Sequence, residues 1–224
     1  MARRACLWIG GGLFSAALAW CAWWYLFVLG RIDRGGGAAA LIVDVALFTA
    51  FALHHSVFAR DFAKRWLARF TPQLIRSIYV YTSSVLLIIV CVLWRPIGGG
   101  LYGASGAAAL ALAAIQLAGV WLIARSAARI DPLELAGIHE APASAPLVTS
   151  GPYRWVRHPL YLGWMLAVFG TPRMTGDRLA FAAVSSAYLI LAVPFEERSL
   201  VRAFGGDYVR YRRDVRWRII PFIY

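Results

Sequence analysis

Six apolar runs, bounded by arginines, glycines or prolines, constrain this chain more than any other feature. A backbone inside hydrocarbon must satisfy its own N–H and C=O groups, so runs of this kind cross as helices. Leu7–Leu29, Ala38–Phe58, Ser77–Trp94 and Ala104–Ala124 are each long enough for a ~30 Å core. Leu160–Phe169 would reach only roughly 15 Å as a helix. Paired with Leu179–Phe195 across GTPRMTGDR, it predicts a helical hairpin. The expected fold is an all-α integral membrane protein: about four full transmembrane helices, a C-terminal helical hairpin and an amphipathic tail. Residues 1–130 form the transmembrane bundle and 131–224 the C-terminal motif region, within one integrated membrane domain.

Composition agrees. Of 224 residues, 61% are hydrophobic and only 15% charged, against about half and a quarter in soluble domains. The net charge of +12 comes mostly from arginines between and after the apolar runs. That pattern suits topology and anionic lipid and argues against nucleic acid. Loop arginines are concentrated on the side that carries the N-terminus, which predicts a cytoplasmic N-terminus in an inner membrane. The MARRACLWIGGGLF start resembles a signal peptide, but its apolar run continues too far and reads as an anchored span. Cys6, Cys21 and Cys91 lie in apolar runs and read as small hydrophobes. No metal-ligand spacing is present. The basic connector Arg60–Arg76 fits either a headgroup-lying helix or a solvated loop.

Two polar clusters interrupt this economy. GPYRWVRHPLY carries Arg157, His158 and two phenols, with Pro152 and Pro159 fixing the backbone. VPFEERSL carries Glu196 and Glu197 directly after an apolar run. The hairpin brings these clusters to the same membrane face, at its two feet. An arginine, a histidine and a glutamate at such a surface suit a zwitterionic ligand. The arginine would meet a carboxylate in fork geometry and the glutamate an ammonium or sulfonium. The plainer reading is of snorkelling anchors and salt-bridged helix ends. His54 and His55, adjacent on one helix, cannot share a metal in the i, i+4 manner. They read either as an interfacial pair or as acceptor-pocket residues beside Arg60 or Arg76.

GPYRWVRHPLYLGW, the hairpin, and EERSLVRAFGGDYVRYRRDVRWRIIP together resemble the isoprenylcysteine carboxyl methyltransferase superfamily of membrane enzymes. Upstream, FALHHSVFAR, RFTPQLIRSIYVYTSS, WRPI, DPLELAGI and TPRMT are similar to its methanethiol S-methyltransferase-like bacterial branch. Arg173 and the RWR at Arg216–Arg218 depart from the family's pattern. The resemblance implies S-adenosyl-L-methionine as cofactor, with Tyr153, Arg157, His158, Tyr161, Glu196 and Glu197 holding it. His158, Glu196 and Arg157 would be catalytic, with Arg198, Tyr208 and Tyr211 in a second tier. The implied reaction is S-methylation of a small thiol, methanethiol to dimethyl sulfide, with His54, His55, Arg60 and Arg76 as tentative substrate residues. Alternatives are a lipid-borne acceptor, namely a prenylcysteine carboxylate or a lipid amine, or a haem-binding membrane isomerase or accessory protein. The expected partners are acceptor and membrane lipids; no protein partner and no nucleic acid is expected.

Overall fold

The computed structural model describes residues 2–32, 35–58, 60, 63, 65–66, 69, 75–131, 133, 136, 138 and 146–224. The helices are α1 (Ala2–Trp23), α2 (Gly37–Phe58), α3 (Ile75–Leu93), α4 (Gly106–Ile130), α5 (Pro159–Phe169), α6 (Gly176–Phe204) and α7 (Gly206–Asp214). α1 continues through a π-helical turn, Trp24–Val28, and a 3-10 turn spans Gly151–Arg154. The strands β1 (Gly100–Gly103) and β2 (Arg173–Thr175) form a two-stranded sheet. The protein is an all-α integral membrane protein with this one small exception.

Among the described residues, four helices are long and apolar enough to cross a membrane: Ala5–Val28, Gly37–Phe58, Gly106–Ile130 and Gly176–Phe204. Three coincide with expected runs, and Gly176–Phe204 takes the place of Ser77–Trp94. The apolar part of α3, Ser77–Leu93, reaches only roughly 26 Å at the α-helical rise. The second arm of the hairpin is longer than Leu179–Phe195. It starts at Gly176 and continues past Pro194 to Phe204, so the twin acids lie within the helix rather than after it. A proline inside a helix removes one donor without necessarily ending it. The TPRMT turn is in part a strand. Most of the Arg60–Arg76 connector and much of DPLELAGI lie outside the described residues.

The chain divides into two compact units. The first comprises Met1–Leu101, Leu133–Glu140 and Thr175–Ala180. Its helices α1 and α3 meet where Gly10 faces the Tyr81 ring, and Tyr81 Oη donates to the Cys6 carbonyl at 3.0 Å. Buried Asp177 gathers the chain after α3: its carboxylate accepts from Trp94 Nε1 at 3.0 Å and from the backbone N–H groups of Ile97 and Gly98 at 2.9 and 3.1 Å. Arg178 Nη2 donates to the Leu26 carbonyl at 2.7 Å, with its guanidinium 5.3 Å from the Tyr25 ring centre. Buried Asp44, within α2, accepts from the Arg95 N–H at 2.9 Å. These acids organise turns. Sequence reading singled out neither.

The second unit comprises Tyr102–Pro132, Ala141–Met174 and Phe181–Tyr224. Here α4 and α5 pack backbone to backbone. A Cβ at Gly119 would lie 2.5 Å from Ala167 N, and one at Gly163 would lie 2.8 Å from Gly119 O. Small residues permit this approach where lipid offers no hydrophobic drive. Gln116 Nε2 adds a bond to the Ala167 carbonyl at 2.8 Å. Replacing Gly163 with leucine forces these helices apart. The expected loss is about 1–3 kcal/mol, read as earlier thermal unfolding in detergent than for Ala118→Leu, an exposed control on α4.

Candidate active site

The second unit brings the RHP segment and the twin acids together. Gly151 adopts φ +64, where a Cβ would come 3.1 Å from Arg129 Nε. Pro152 then starts the 3-10 turn. Residues 157 and 158 pair with the tail: Arg157 N–H donates to the Trp217 carbonyl at 2.9 Å and His158 N–H to that of Arg218 at 2.8 Å. His158 caps α5, with Pro159 at its first position, where a missing N–H costs nothing.

Arg157 is buried and committed. Nε donates to Glu197 Oε1 at 2.6 Å, and Nη1 donates to the carbonyls of Val215 and Arg216, each at 2.7 Å. The guanidinium fork expected to meet a ligand carboxylate is therefore used largely within the protein. The other oxygen of Glu197 has Arg218 Nε at 3.6 Å and Arg212 Nε at 3.9 Å. Three arginines thus surround one buried carboxylate.

Glu196 differs. Its side chain is 42% exposed, against 4% for Glu197, as neighbours about 100° apart on a helix should be. It accepts from Tyr161 Oη at 2.6 Å. The Tyr161 ring stacks on His158 at 5.3 Å and 14°. The imidazole lies between the acids, with Nδ1 3.5 Å from Glu196 and Nε2 3.6 Å from Glu197. A positive ligand can therefore reach Glu196, while Glu197 is occupied by its own counter-ions.

Tyr153, Tyr208 and Tyr211 add to the cluster. Tyr211 Oη donates to the Tyr153 carbonyl at 2.7 Å. Among the described residues, Tyr153 Oη, Tyr208 Oη and His158 Nε2 are buried without a hydrogen-bond partner. Burial pushes the phenols of Tyr153, Tyr208 and Tyr211 well above the ordinary tyrosine range, and the charge of Glu196 or Glu197 adds to it. All three remain neutral hydroxyl groups. Orphaned donors beside an accessible carboxylate fit a ligand carrying both a cation and hydrogen-bond acceptors, which is the chemistry of the implied cofactor.

Tyr153, Arg157, His158, Tyr161, Glu196 and Glu197 thus form one cluster. His54, His55, Arg60 and Arg76 belong to the first unit. There Tyr79 Oη lies 3.0 Å from the ring nitrogens of His55, and His54 stacks on Phe58 at 4.5 Å. Arg60 N–H donates to the Val57 carbonyl at 3.0 Å, and Arg76 lies in the first turn of α3. Among the described residues, no group of three or more His, Cys, Asp or Glu is arranged to hold a metal ion. Sequence reading missed the carbonyls of Val215–Arg218 and the inward reach of Arg212 and Arg218. The RWR segment, a departure from the family's pattern, carries the available signal.

A family profile described as phospholipid methyltransferase matches residues 104–207. The chain is 42% identical to methanethiol S-methyltransferase 2 of Bradyrhizobium diazoefficiens, over 79% of this chain and 71% of that protein. It is 38% identical to the methanethiol S-methyltransferase of Mycobacterium tuberculosis, over 79% and 76%. A protein-S-isoprenylcysteine O-methyltransferase of Xenopus laevis is 35% identical over only 38% of this chain and 30% of its own. No solved structure matches.

Two outcomes test this geometry. Glu197→Gln leaves Arg157 buried beside a neutral partner, an expected cost of about 3–5 kcal/mol, measurable by thermal unfolding in detergent. The neutral phenols add a pH term. Above the ordinary tyrosine value of about 10, the folded protein holds protons that the unfolded chain has lost, so stability falls as pH rises further. Alkaline unfolding should therefore be shallower in the Tyr153→Phe/Tyr208→Phe variant.

Proposed function

This chain belongs to the methanethiol S-methyltransferase family of membrane methyltransferases, and from that membership we propose that it transfers a methyl group from S-adenosylmethionine to methanethiol or a similar small thiol. One observation carries the choice of acceptor. The likeness to methanethiol S-methyltransferases covers 79% of the chain, too much to exclude its upstream half, whereas that to the isoprenylcysteine enzyme covers 38%. An acceptor site built upstream of the shared motif would separate the two branches.

The sulfonium of S-adenosylmethionine supplies an already activated methyl group, so the protein's task is to orient, neutralise and exclude water. Glu196 offers its carboxylate to the positive charge, and Tyr161 fixes its direction. Tyr153 and Tyr208 donate hydrogen bonds to the ligand's acceptors. Arg157 is a positioning residue: it fastens Glu197 on α6 and the carbonyls after α7 to the RHP segment. A thiol must also lose a proton, and His158 or Glu196 is placed to take it. We place the site at the cytoplasmic surface of the inner membrane, following the arginine distribution of the loops.

Labelled S-adenosylmethionine offered with methanethiol, a prenylcysteine and a lipid amine should give dimethyl sulfide. Label on either of the other acceptors would overturn the assignment. Glu196→Gln should lower kcat/KM about a hundredfold, the usual scale for removing one preorganised charge. His158→Gln and Glu196→Gln should differ in pH profile. The acidic limb disappears in the variant that lacks the proton acceptor and persists in the other.

A further inference from the structure

Residues 215–224 form a strap without regular helix after α7. It holds the site by its backbone, through the carbonyls of Val215 to Arg218 that accept from Arg157 and His158. Inward, Ile219 is fully buried against Met165 and Val193. The strap closes on itself: the Tyr224 carbonyl accepts from the N–H groups of Arg218, Ile219 and Ile220 at 2.9, 2.8 and 3.1 Å. This turn places Phe222 at φ +67, a left-handed conformation that a bulky residue adopts only against steric resistance.

The turn points its apolar side chains outward. Phe222 and Ile223 are 84% and 77% exposed, the highest values among the large hydrophobic residues described. Trp217 packs against Phe222 with ring centres 5.3 Å apart and a 52° tilt. Exposed Trp155 lies two residues before Arg157. Exposed arginines flank these side chains: Arg154 beside Trp155, Arg213 at the end of α7 and Arg216 in the strap. The exposed acids of α7 are Asp207 and Asp214, and Asp207 has Arg210 at 4.0 Å. Aromatic tips with an arginine excess, on a chain that crosses the membrane, match an anionic headgroup layer.

We propose that this foot docks on anionic phospholipid headgroups, with Phe222 and Ile223 entering the interface, and that the contact holds the strap and thereby the RHP segment in working position. The regulatory half of this inference rests on the methyltransferase reading; the docking half does not. Lipid orders the strap from outside, and the strap positions Arg157 and His158 from inside. Because the attraction is between exposed charges, salt weakens it.

The full chain in nanodiscs of phosphatidylcholine, with or without phosphatidylglycerol, tests both halves. Phosphatidylglycerol should slow amide hydrogen exchange in 215–224 and raise methyl transfer severalfold, both effects fading at high salt. Arg154→Gln/Arg213→Gln should lower the apparent affinity for phosphatidylglycerol about fivefold per charge, leaving the rate in phosphatidylcholine unchanged. Phe222→Ser/Ile223→Ser should abolish the exchange response. Equal exchange in both lipids, or a response that survives both variants, overturns the docking. Slowed exchange without a rate response overturns the regulatory half. Absence of methyl transfer in every lipid refutes the enzymatic reading, while exchange still decides the docking.

Discussion

A charge buried near a membrane survives only if something nearby cancels it and occupies its hydrogen bonds. Arg157 and Glu197 meet that requirement for each other at 2.6 Å, and the carbonyls of Val215 and Arg216 complete the arginine's shell. The two residues come from opposite feet of a hairpin, and the carbonyls come from beyond α7. One ion pair thus ties three separate stretches of chain into a fixed arrangement. The stacked His158–Tyr161 rings and the accessible Glu196 carboxylate inherit their positions from it.

The scaffold beneath relies on closeness rather than hydrophobic drive. α4 and α5 touch through Gly119 and Gly163, where even a methyl group would collide with backbone. α5 is too short to cross by itself, and α6 is longer than a crossing needs. That inequality lets α6 run past Pro194 and carry Glu196 and Glu197 as part of a continuous helix. A helix holds adjacent carboxylates about 100° apart, which lets one be sealed among arginines and the other stay within reach of a ligand.

Membership of a methyltransferase family accords with a site whose chemistry is electrostatic and orientational. Its neutral phenols, half-exposed carboxylate and sandwiched imidazole suit recognition of a cation better than activation of a strong nucleophile. The described residues are mostly helical, with a single two-stranded sheet among them.

Membrane class, helical fold and the two polar clusters were legible in the sequence, because apolar run length and ionisable residues at run ends are local properties. The meeting of the clusters was also legible, since a short hairpin returns its ends to one side. The helix boundaries of α6 were less so: Pro194 and two acids look like a terminus until arginines neutralise Glu197 and Tyr161 bonds Glu196. Which residues could do the chemistry was readable before folding, because that depends on side-chain type and spacing. Folding alone settles that Arg157 is held inside, that Glu197 is sealed while Glu196 is open, and that the strap's carbonyls support the site. Those outcomes depend on which distant groups share a low-dielectric space, and chain order does not encode that directly.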